Sequence, residues 1–282
     1  MASKQSSRPE PQPQTLMTGL VFGESPRWHD GRLWFSDWGA RQIVVVRHDG
    51  QREITDVPFE LPFCIDWLHD DRLLIVAGRE GRLVRREFDG SLVTHADLRR
   101  LGEQPWNEIV VDGRGSIYVN GGPGLIALVS IDGSVRQVAD GIAFPNGMAI
   151  TRDNHTLIIA ESYGKRLTAF DINTDGGLSN RRVWADLGGG VPDGICIDAE
   201  NAVWYADVPN KRCVRVREGG QVLQTVATDR GCFACMLGGS ERKTLFILAA
   251  EWRGMDKIDE VAKARTGQLL LIAAPAPSAG WP

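Results

Sequence analysis

The sequence predicts an all-β fold, a six-bladed β-propeller with a metal site on its axis, and three observations support this prediction. A short pattern returns six times, in which a residue lies five positions before a polar turn and a hydrophobic strand follows. The leading residues of the six repeats are Glu24, Cys64, Asn107, Asn146, Asp193 and Ala234. Their separations of 40, 43, 39, 47 and 41 residues are typical of propeller blades. Continuous helical periodicity is almost absent.

Each repeat shows the same succession of elements. A leading strand is followed by a polar turn and a second strand, and a third strand then ends in a hairpin into a fourth. Asp49-Gly50 and Asp89-Gly90 mark two of these hairpins, because a type I′ turn needs positive φ at both central residues. Two other all-β folds are disfavoured. One coil of a parallel β-helix is shorter than the repeat seen here, and a β-sandwich would not repeat one turn offset six times.

The two ends of the chain are expected to close the ring. The segment at 15–22 could pair with the strand at 268–273 of the last repeat, which would remove exposed sheet edges. A short apolar periodicity from Met255 to Ala264 predicts a decorated loop or one to three helical turns. The expected organisation is a single propeller domain at 15–282 after a disordered arm at 1–14, which is rich in Ser, Pro and Gln.

Composition excludes several classes of function. The chain has 282 residues, a net charge of −4 and no basic stripe, so nucleic acid is not an expected partner. No apolar run reaches the ~18 residues of a membrane span. Five cysteines without a signal peptide indicate reduced thiols and a cytoplasmic protein. A monomer is expected, because propellers commonly act as monomers and no patch in the sequence argues otherwise. Packing is favoured over redox or zinc chemistry for the Cys232 and Cys235 pair.

Four of the leading residues carry side-chain oxygen, namely Glu24, Asn107, Asn146 and Asp193. Equivalent positions of a radial fold converge on its axis. Carboxylates and amides without His or thiolate suit calcium, magnesium or manganese, and two carboxylates balance a divalent charge. The alternative is that these residues cap strand ends or form turns, since Asn and Asp before Gly are common there.

Several blocks of the chain resemble the SMP-30/gluconolactonase/LRE family of regucalcin-like proteins. They are Gly-Glu-Ser-Pro-Arg-Trp at 23–28, Trp-Phe-Ser-Asp at 34–37, Pro-Asn-Gly-Met-Ala at 145–149, Pro-Asp-Gly-Ile-Cys-Ile-Asp at 192–198 and Ala-Cys-Met-Leu-Gly-Gly at 234–239. The resemblance runs from about 18 to 272. It implies a six-bladed propeller with one divalent ion in the central channel, held by Glu24, Asn146 and Asp193. It also implies that Asn107 contacts substrate or water, and that Asp193 is the general base.

The chain departs from this family at polar positions. Gluconolactonase-like members often have Arg where this chain has Pro105, and usually Asp where it has Glu108. A loop that carries an acidic, sugar-contacting residue is shortened to residues 120–124. Because these changes remove groups that would grip a polyhydroxylated lactone, a less polar lactone or another ester-like substrate becomes plausible.

The expected activity is metal-dependent hydrolysis of a lactone, of a sugar or a less polar one. A divalent cation, Ca²⁺ in preference to Mg²⁺, Mn²⁺ or Zn²⁺, would polarise the carbonyl. Asn107 would stabilise the oxygen charge, while Asp193 would take a proton from water. A metal-bound hydroxide stays open as the competing nucleophile, since a carboxylate on a dication is a weak base.

The substrate is expected to lie against loops at the channel mouth. The residues predicted to contact it are Asn107, Trp106, Asn120 and Tyr163, with Trp38 and Asp207 as further wall candidates. Inter-blade packing is the alternative role for the wall residues. Two other functions stay open, an organophosphate or aryl-ester hydrolase on the same scaffold and a non-catalytic propeller that binds a metal or ligand. A serine hydrolase is disfavoured because Ser25 lacks a G-x-S-x-G context.

Overall fold

Six four-stranded antiparallel sheets succeed one another along the chain in a computed structural model that describes residues 12–47, 50–102 and 105–282. The innermost strand of each sheet contacts the innermost strands of the two neighbouring sheets, and the last contacts the first. The sheets therefore form a closed ring, which confirms the predicted six-bladed β-propeller. We call the end of the ring at which the innermost strands begin the mouth.

The first half of the chain forms one single strand and three complete blades. The strand β1 (Gln14–Leu20) precedes blade one, which contains β2 (Gly23–His29), β3 (Arg32–Asp37), β4 (Gln42–Val46) and β5 (Arg52–Asp56). Blade two contains β6 (Phe63–Trp67), β7 (Leu73–Ala77), β8 (Arg82–Arg86) and β9 (Leu92–Asp97), with a 3-10 turn at Gly78–Glu80. Blade three contains β10 (Trp106–Val111), β11 (Ile117–Gly121), β12 (Leu125–Val129) and β13 (Val135–Ala139).

The second half repeats this plan. Blade four contains β14 (Pro145–Ile150), β15 (Thr156–Glu161), β16 (Arg166–Ile172) and β17 (Leu178–Asp186). Blade five contains β18 (Pro192–Ile197), β19 (Val203–Asp207), β20 (Arg212–Val216) and β21 (Val222–Ala227). Blade six contains β22 (Gly231–Gly238), β23 (Thr244–Ala250) and β24 (Gly267–Ala273). A 3-10 turn at Met255–Lys257 and the helix α1 (Ile258–Ala264) lie between β23 and β24, which agrees with the expected helical turns.

The first strand completes the last blade. β1 pairs antiparallel with β24, with Gln14 opposite Leu271 and Leu20 opposite Gly267, as ring closure predicts. The strand begins at Gln14, one residue before the expected start. Residues 1–11 of the predicted arm lie outside the described residues, as does Asp49 of the first predicted hairpin turn.

Two glycines on the innermost strands allow neighbouring blades to approach closely. A Cβ at Gly147 would lie 2.5 Å from the backbone nitrogen of Ile195, and one at Gly194 would lie 2.6 Å from the Cβ of Ala234. The Asn-Gly and Asp-Gly pairs at 146–147 and 193–194 lie inside the strands β14 and β18. The alternative that they form turns is wrong, because these glycines serve backbone packing.

All five cysteines are buried and free. Cys232 and Cys235 lie in the hydrophobic core between blades five and six, together with Cys196 and Cys213. Cys235 also donates from Sγ to the backbone oxygen of Gly194 at 3.7 Å. These contacts agree with the packing role that the sequence favoured. No helix in the described part of the chain is long and apolar enough to cross a membrane.

The last residues of the chain cross the end of the ring opposite the mouth. Trp281 exchanges backbone hydrogen bonds with Ile150 of blade four at 2.9 and 2.7 Å. Ser278 forms a bridge with Asp198 of blade five and donates to the backbone oxygen of Arg242 in blade six. This tail joins three blades and, with the innermost strands, encloses a cavity of about 220 Å³. No repeat pattern in the sequence indicated it.

The carboxylate of Glu161 organises the mouth end of blade four. Its oxygens accept hydrogen bonds from Arg166 at 3.2 and 3.0 Å, from Arg181 at 3.1 Å and from the backbone nitrogen of Ala143 at 2.9 Å. Burial alone would raise its pKa, but the hydrogen bonds from Arg166, Thr168 and Ala143 hold the pKa at about 2. The network anchors the loop that leads into β14.

We expect Glu161→Gln to lower the free energy of unfolding at pH 7 by about 2–3 kcal/mol. The folded pKa of about 2 lies below the ordinary glutamate pKa of 4.5, so the carboxylate stabilises the fold fully above pH ~4.5. That stability is lost as the pH falls toward 2. Urea unfolding of both proteins at pH 7 and pH 4 should show a smaller difference at pH 4. Asp171→Asn, which removes an exposed ion pair with Arg182, should cost under ~1 kcal/mol. Equal losses for Glu161→Gln at both pH values would contradict the assignment.

Candidate functional site

Five of the six residues that the sequence placed at the leading positions lie at bulges of the innermost strands, and Cys64 in the regular strand β6 is the exception. Register shifts interrupt five of the six innermost strands: β2 between Glu24 and Arg27, β10 between Trp106 and Ile109, β14 between Pro145 and Met148, β18 between Pro192 and Ile195, and β22 between Cys232 and Ala234. A bulge re-aims side chains and ends regular pairing. Asn107, Asn146 and Asp193 fall inside these interruptions and keep partial exposure.

Contacts between blades bring the four predicted polar residues together. Asn107 Nδ2 donates to Asn146 Oδ1 at 3.4 Å. The amide of Asn146 lies close enough to Asp193 to favour its charged form, and the charge of Asp193 acts on Glu24. Two carboxylates and two amides from blades one, three, four and five therefore meet at the mouth end of the axis.

The two carboxylates of this cluster lie in an unfavourable electrostatic environment. Burial, followed by the charges of Asp193 and Glu108, raises the pKa of Glu24 well above its usual value. Burial and the charge of Glu108 likewise raise the pKa of Asp193. Asp193 Oδ1 is buried without a hydrogen-bond partner. A cation bound between these oxygens would relieve both the desolvation and the repulsion.

A buried ion pair lies beneath the cluster. Arg27 Nη2 donates to Glu108 Oε1 at 3.0 Å and to the backbone oxygen of Ile109 at 2.5 Å. Ser25 Oγ donates to the same carboxylate oxygen at 3.3 Å. Asp66 Oδ2 lies 3.8 Å from Arg27 Nε, and burial raises the pKa of Asp66 to about 6. Arg27 thus compensates the acidic groups on the inner strands.

Arg27, Ser25 and Asp66 were not identified from the sequence as part of the polar interior beneath the cluster. A signal was present, because charged residues occur inside strands that are otherwise apolar, such as Phe-Cys-Ile-Asp-Trp at 63–67. Buried charges are rare unless they are paired. That rule would have indicated a polar interior along the axis.

Two of the residues predicted to contact substrate are buried instead. Trp106 has 0% exposure and packs in the hydrophobic core of blades two and three. Asn120 is also fully buried; its Nδ2 donates to the backbone oxygen of Asn146 at 2.6 Å, and its Oδ1 accepts from the backbone nitrogen of Glu108 at 3.3 Å. These side chains hold the polar cluster in place and do not line an open surface.

The other wall candidates differ in accessibility. Tyr163 is 74% exposed and stacks on Phe144 with ring centroids 4.4 Å apart. Trp38 is partly buried and donates from Nε1 to the backbone oxygen of Phe63 at 2.6 Å. Asp207 is fully buried, and its Oδ2 forms an ion pair with Arg212 Nε at 3.0 Å. Tyr163 and Trp38 are therefore accessible at the mouth, whereas Asp207 is a structural anchor.

Within residues 12–47, 50–102 and 105–282, no three His, Cys, Asp or Glu side chains are grouped so as to hold a metal ion. A metal centre at the mouth therefore depends on amide oxygens in addition to the two carboxylates. The donor set of Glu24, Asp193 and Asn146 consists of hard oxygens, which is the chemistry that Ca²⁺ and Mg²⁺ prefer.

Comparison of the sequence with known proteins gives one consistent result. The profile of the SMP-30/Gluconolactonase/LRE-like region matches residues 22–251. Regucalcin of Xenopus laevis is 33% identical over 272 residues, which cover 88% of this chain and 88% of that protein. The pentonolactonase of Haloferax volcanii is 25% identical over 245 residues, covering 74% of this chain and 81% of its own length.

Solved structures share the architecture. A calcium-binding protein, regucalcin, from Agrobacterium tumefaciens superposes with a TM-score of 0.80 at 21% identity, with 96% of each chain covered. A gluconolactonase from Xanthomonas campestris superposes with a TM-score of 0.73 at 22% identity, covering 92% of this chain and 88% of that one. At this identity the structural likeness shows the fold alone.

Proposed function

Because the chain belongs to the SMP-30/gluconolactonase/LRE-like family, we propose that it is a divalent-metal-dependent lactonase. The observation that carries the proposal is the buried, unpartnered Oδ1 of Asp193, which faces a second carboxylate and two amides at the mouth of the channel. The matching family model and a relative named as a pentonolactonase support lactone hydrolysis as the reaction class.

The protein ligands of the ion would be Glu24, Asn146 and Asp193. They fit a hard dication, because two buried carboxylates of raised pKa and an amide oxygen supply charge balance and oxygen donors. When bound, the ion supplies Lewis-acid polarisation of the lactone carbonyl. Ca²⁺ is the favoured occupant.

The chain's own residues account for the remaining chemistry. Within the described residues, Asn107 Nδ2 donates a long hydrogen bond of 3.4 Å to Asn146 Oδ1, so it can donate to the oxygen charge that develops on the substrate carbonyl. Asp193 can accept a proton from the attacking water. The oxygen of that water bonds to the carbonyl carbon, the ring C–O bond breaks, and the leaving alkoxide takes the proton that Asp193 accepted, which gives a hydroxy acid and restores the carboxylate.

Structural features around the cluster would limit access of bulk water. The C-terminal tail crosses the opposite end of the ring through its pairing with Ile150 and Asp198. Arg27 and Glu108 occupy the interior beneath the carboxylates. Substrate would therefore enter and product leave by the mouth alone.

A panel of substrates tests the proposal. A sugar lactone, an alkyl γ-lactone, an aryl ester and an organophosphate are incubated with the protein after chelator treatment and again after addition of Ca²⁺, Mg²⁺, Mn²⁺ or Zn²⁺. We expect lactone hydrolysis to fall at least 100-fold with chelator and to return with a divalent ion, because the ion contributes several kcal/mol to the transition state. Chelator-resistant hydrolysis would contradict metal dependence.

A non-catalytic calcium-binding propeller is the second candidate. The names of relatives favour it, since several are regucalcins. Calorimetric Ca²⁺ binding together with a flat response across the substrate panel would select this alternative. Fast turnover of the ester or organophosphate over both lactones would select the hydrolase alternative.

A further inference from the structure

Aromatic side chains lie on two sides of the mouth of the channel. On blades one and six, Phe22 packs edge-on against Phe233 at 4.4 Å and against Trp38 at 5.4 Å, and stacks on Trp252 at 5.6 Å. Phe22 and Phe233 are buried, whereas Trp252 is 37% exposed and Trp38 is partly exposed. The buried pair thus supports two indole rings that reach solvent.

This cluster lies beside the proposed metal ligands. Phe22 precedes Glu24 by two residues, and Phe233 directly precedes Ala234, the leading residue of blade six. Trp38 follows the end of β3 and Trp252 follows the end of β23. Both strands run antiparallel to their innermost neighbours, so they end at the mouth.

A second aromatic pair lies on the opposite side. Phe144 stacks on Tyr163 with an interplanar angle of 24°, and Phe144 precedes Asn146 by two residues. Blade four faces blade one across a ring of six. Phe144 has φ of 59°, a conformation that a bulky residue rarely adopts. Backbone hydrogen bonds from Ser162 to Phe144 and from Tyr163 to Ala143 hold it there.

Several described positions at the mouth are apolar or lack a side chain. The leading residues of blades two and six are Cys64 and Ala234, which are buried and apolar. Blade three contributes Pro105 and the glycines at 121–122 beside Asn107. Among the described residues, these positions offer a sugar hydroxyl no side-chain oxygen or amide apart from Asn107, whereas an alkyl or aryl group would gain from burial against them.

We propose that the aromatic rim, defined as Phe22, Trp38, Phe144, Tyr163, Phe233 and Trp252, is a subsite for an apolar substituent on the substrate ring. The preferred substrate is a lactone that carries an alkyl or aryl chain. This inference rests on the proposed lactonase function and deepens it. The ring of the lactone lies at the polar cluster while its chain lies against the exposed indole and phenol rings.

The first test measures kcat/KM for γ-lactones whose side chain grows from methyl to octyl, beside a sugar lactone. We expect a rise of about 2–4-fold for each added methylene until the rim is covered. Trp252→Ala and Tyr163→Ala are each expected to lower kcat/KM for the octyl lactone about 10-fold, mainly through KM. The penalty should shrink as the chain shortens.

Matched variants separate this role from general effects. Phe88 is 80% exposed and lies in the hairpin between β8 and β9, at the opposite end of the strands. Phe88→Ala removes an exposed ring of similar size and is expected to change no kinetic constant. Trp252→Phe should retain most of the chain-length dependence, and thermal unfolding confirms that each variant is folded. An equal loss in Phe88→Ala and Trp252→Ala would overturn the assignment.

A second readout does not depend on turnover. Lactams with the same alkyl chains resist hydrolysis, and their binding can be followed by calorimetry. Chain-dependent lactam binding that weakens in Trp252→Ala supports the rim even if no lactone is hydrolysed, in which case only the lactonase proposal fails. Conversely, lactone hydrolysis with no chain-length dependence in kcat/KM or lactam binding overturns the rim alone. Absence of both turnover and lactam binding overturns both.

Discussion

Replacement of Asp193 by Asn is expected to lower lactone turnover at least about 1,000-fold and to abolish the response to divalent cations. The substitution preserves the size of the side chain, but it removes the carboxylate charge that Asp193 brings to the cluster from blade five. Calorimetry with Ca²⁺ and kcat at saturating Ca²⁺ measure the two effects. Asp30→Asn, at a surface carboxylate that is 73% exposed, is the matched control and should behave as the parent protein.

The same substitution should stabilise the metal-free protein at pH 8. Burial and neighbouring charges raise the folded pKa of Asp193 and Glu24 above their unfolded values. The free energy of unfolding of the metal-free protein therefore falls as the pH rises from the unfolded pKa values toward the higher folded ones. The reason is that these carboxyl groups ionise less readily in the folded state. Asp193→Asn removes one ionisation, so we expect a gain of a few degrees in Tm at pH 8 and little at pH 4. Added Ca²⁺ should stabilise the parent protein more at pH 8 than at pH 5. Full turnover in Asp193→Asn, or a Tm of the parent protein that ignores Ca²⁺, would contradict the proposed centre.

Replacement of Arg27 by Met is expected to have the largest effect on stability. Arg27 and Glu108 have side-chain exposures of 5% and 7%, so the substitution leaves a buried carboxylate without its cation. Breaking such a pair costs about 3–5 kcal/mol. In the parent protein the charge of Arg27 lowers the pKa of Glu24. The variant loses this effect. Urea unfolding at pH 7 measures the loss, and Ca²⁺ should restore more stability to this variant than to the parent.

A double-mutant cycle tests the origin of that loss. Arg27→Met combined with Glu108→Leu replaces both charges by apolar groups, and such replacement of a buried pair is often neutral. We therefore expect the double variant to recover most of the stability lost in Arg27→Met. A double variant as unstable as the single one would show that packing of the arginine, and not its charge, stabilises the interior.

The positions of the site residues were only partly predictable. The common offset placed Glu24, Asn107, Asn146 and Asp193 on equivalent strands, and the structure brings all four together. The same reasoning failed for Trp106 and Asn120, which lie next to the site in sequence or in a neighbouring strand but are buried. The offset along a strand predicts how far a residue lies from the mouth. Whether its side chain points to the channel or into the core depends on where the bulge begins.

Repeat spacing and turn chemistry were sufficient for the number of blades, the order of strands and the closure of the ring, because these depend on patterns that recur locally every 40 or so residues. Packing in three dimensions settled the rest. Gly147 and Gly194, in the bulged parts of β14 and β18, let adjacent strands touch, the ion pair of Arg27 with Glu108 joins blades one and three, and the C-terminal tail reaches Ile150 across the ring. Each of these contacts joins residues far apart in the chain, and no local periodicity records such a contact.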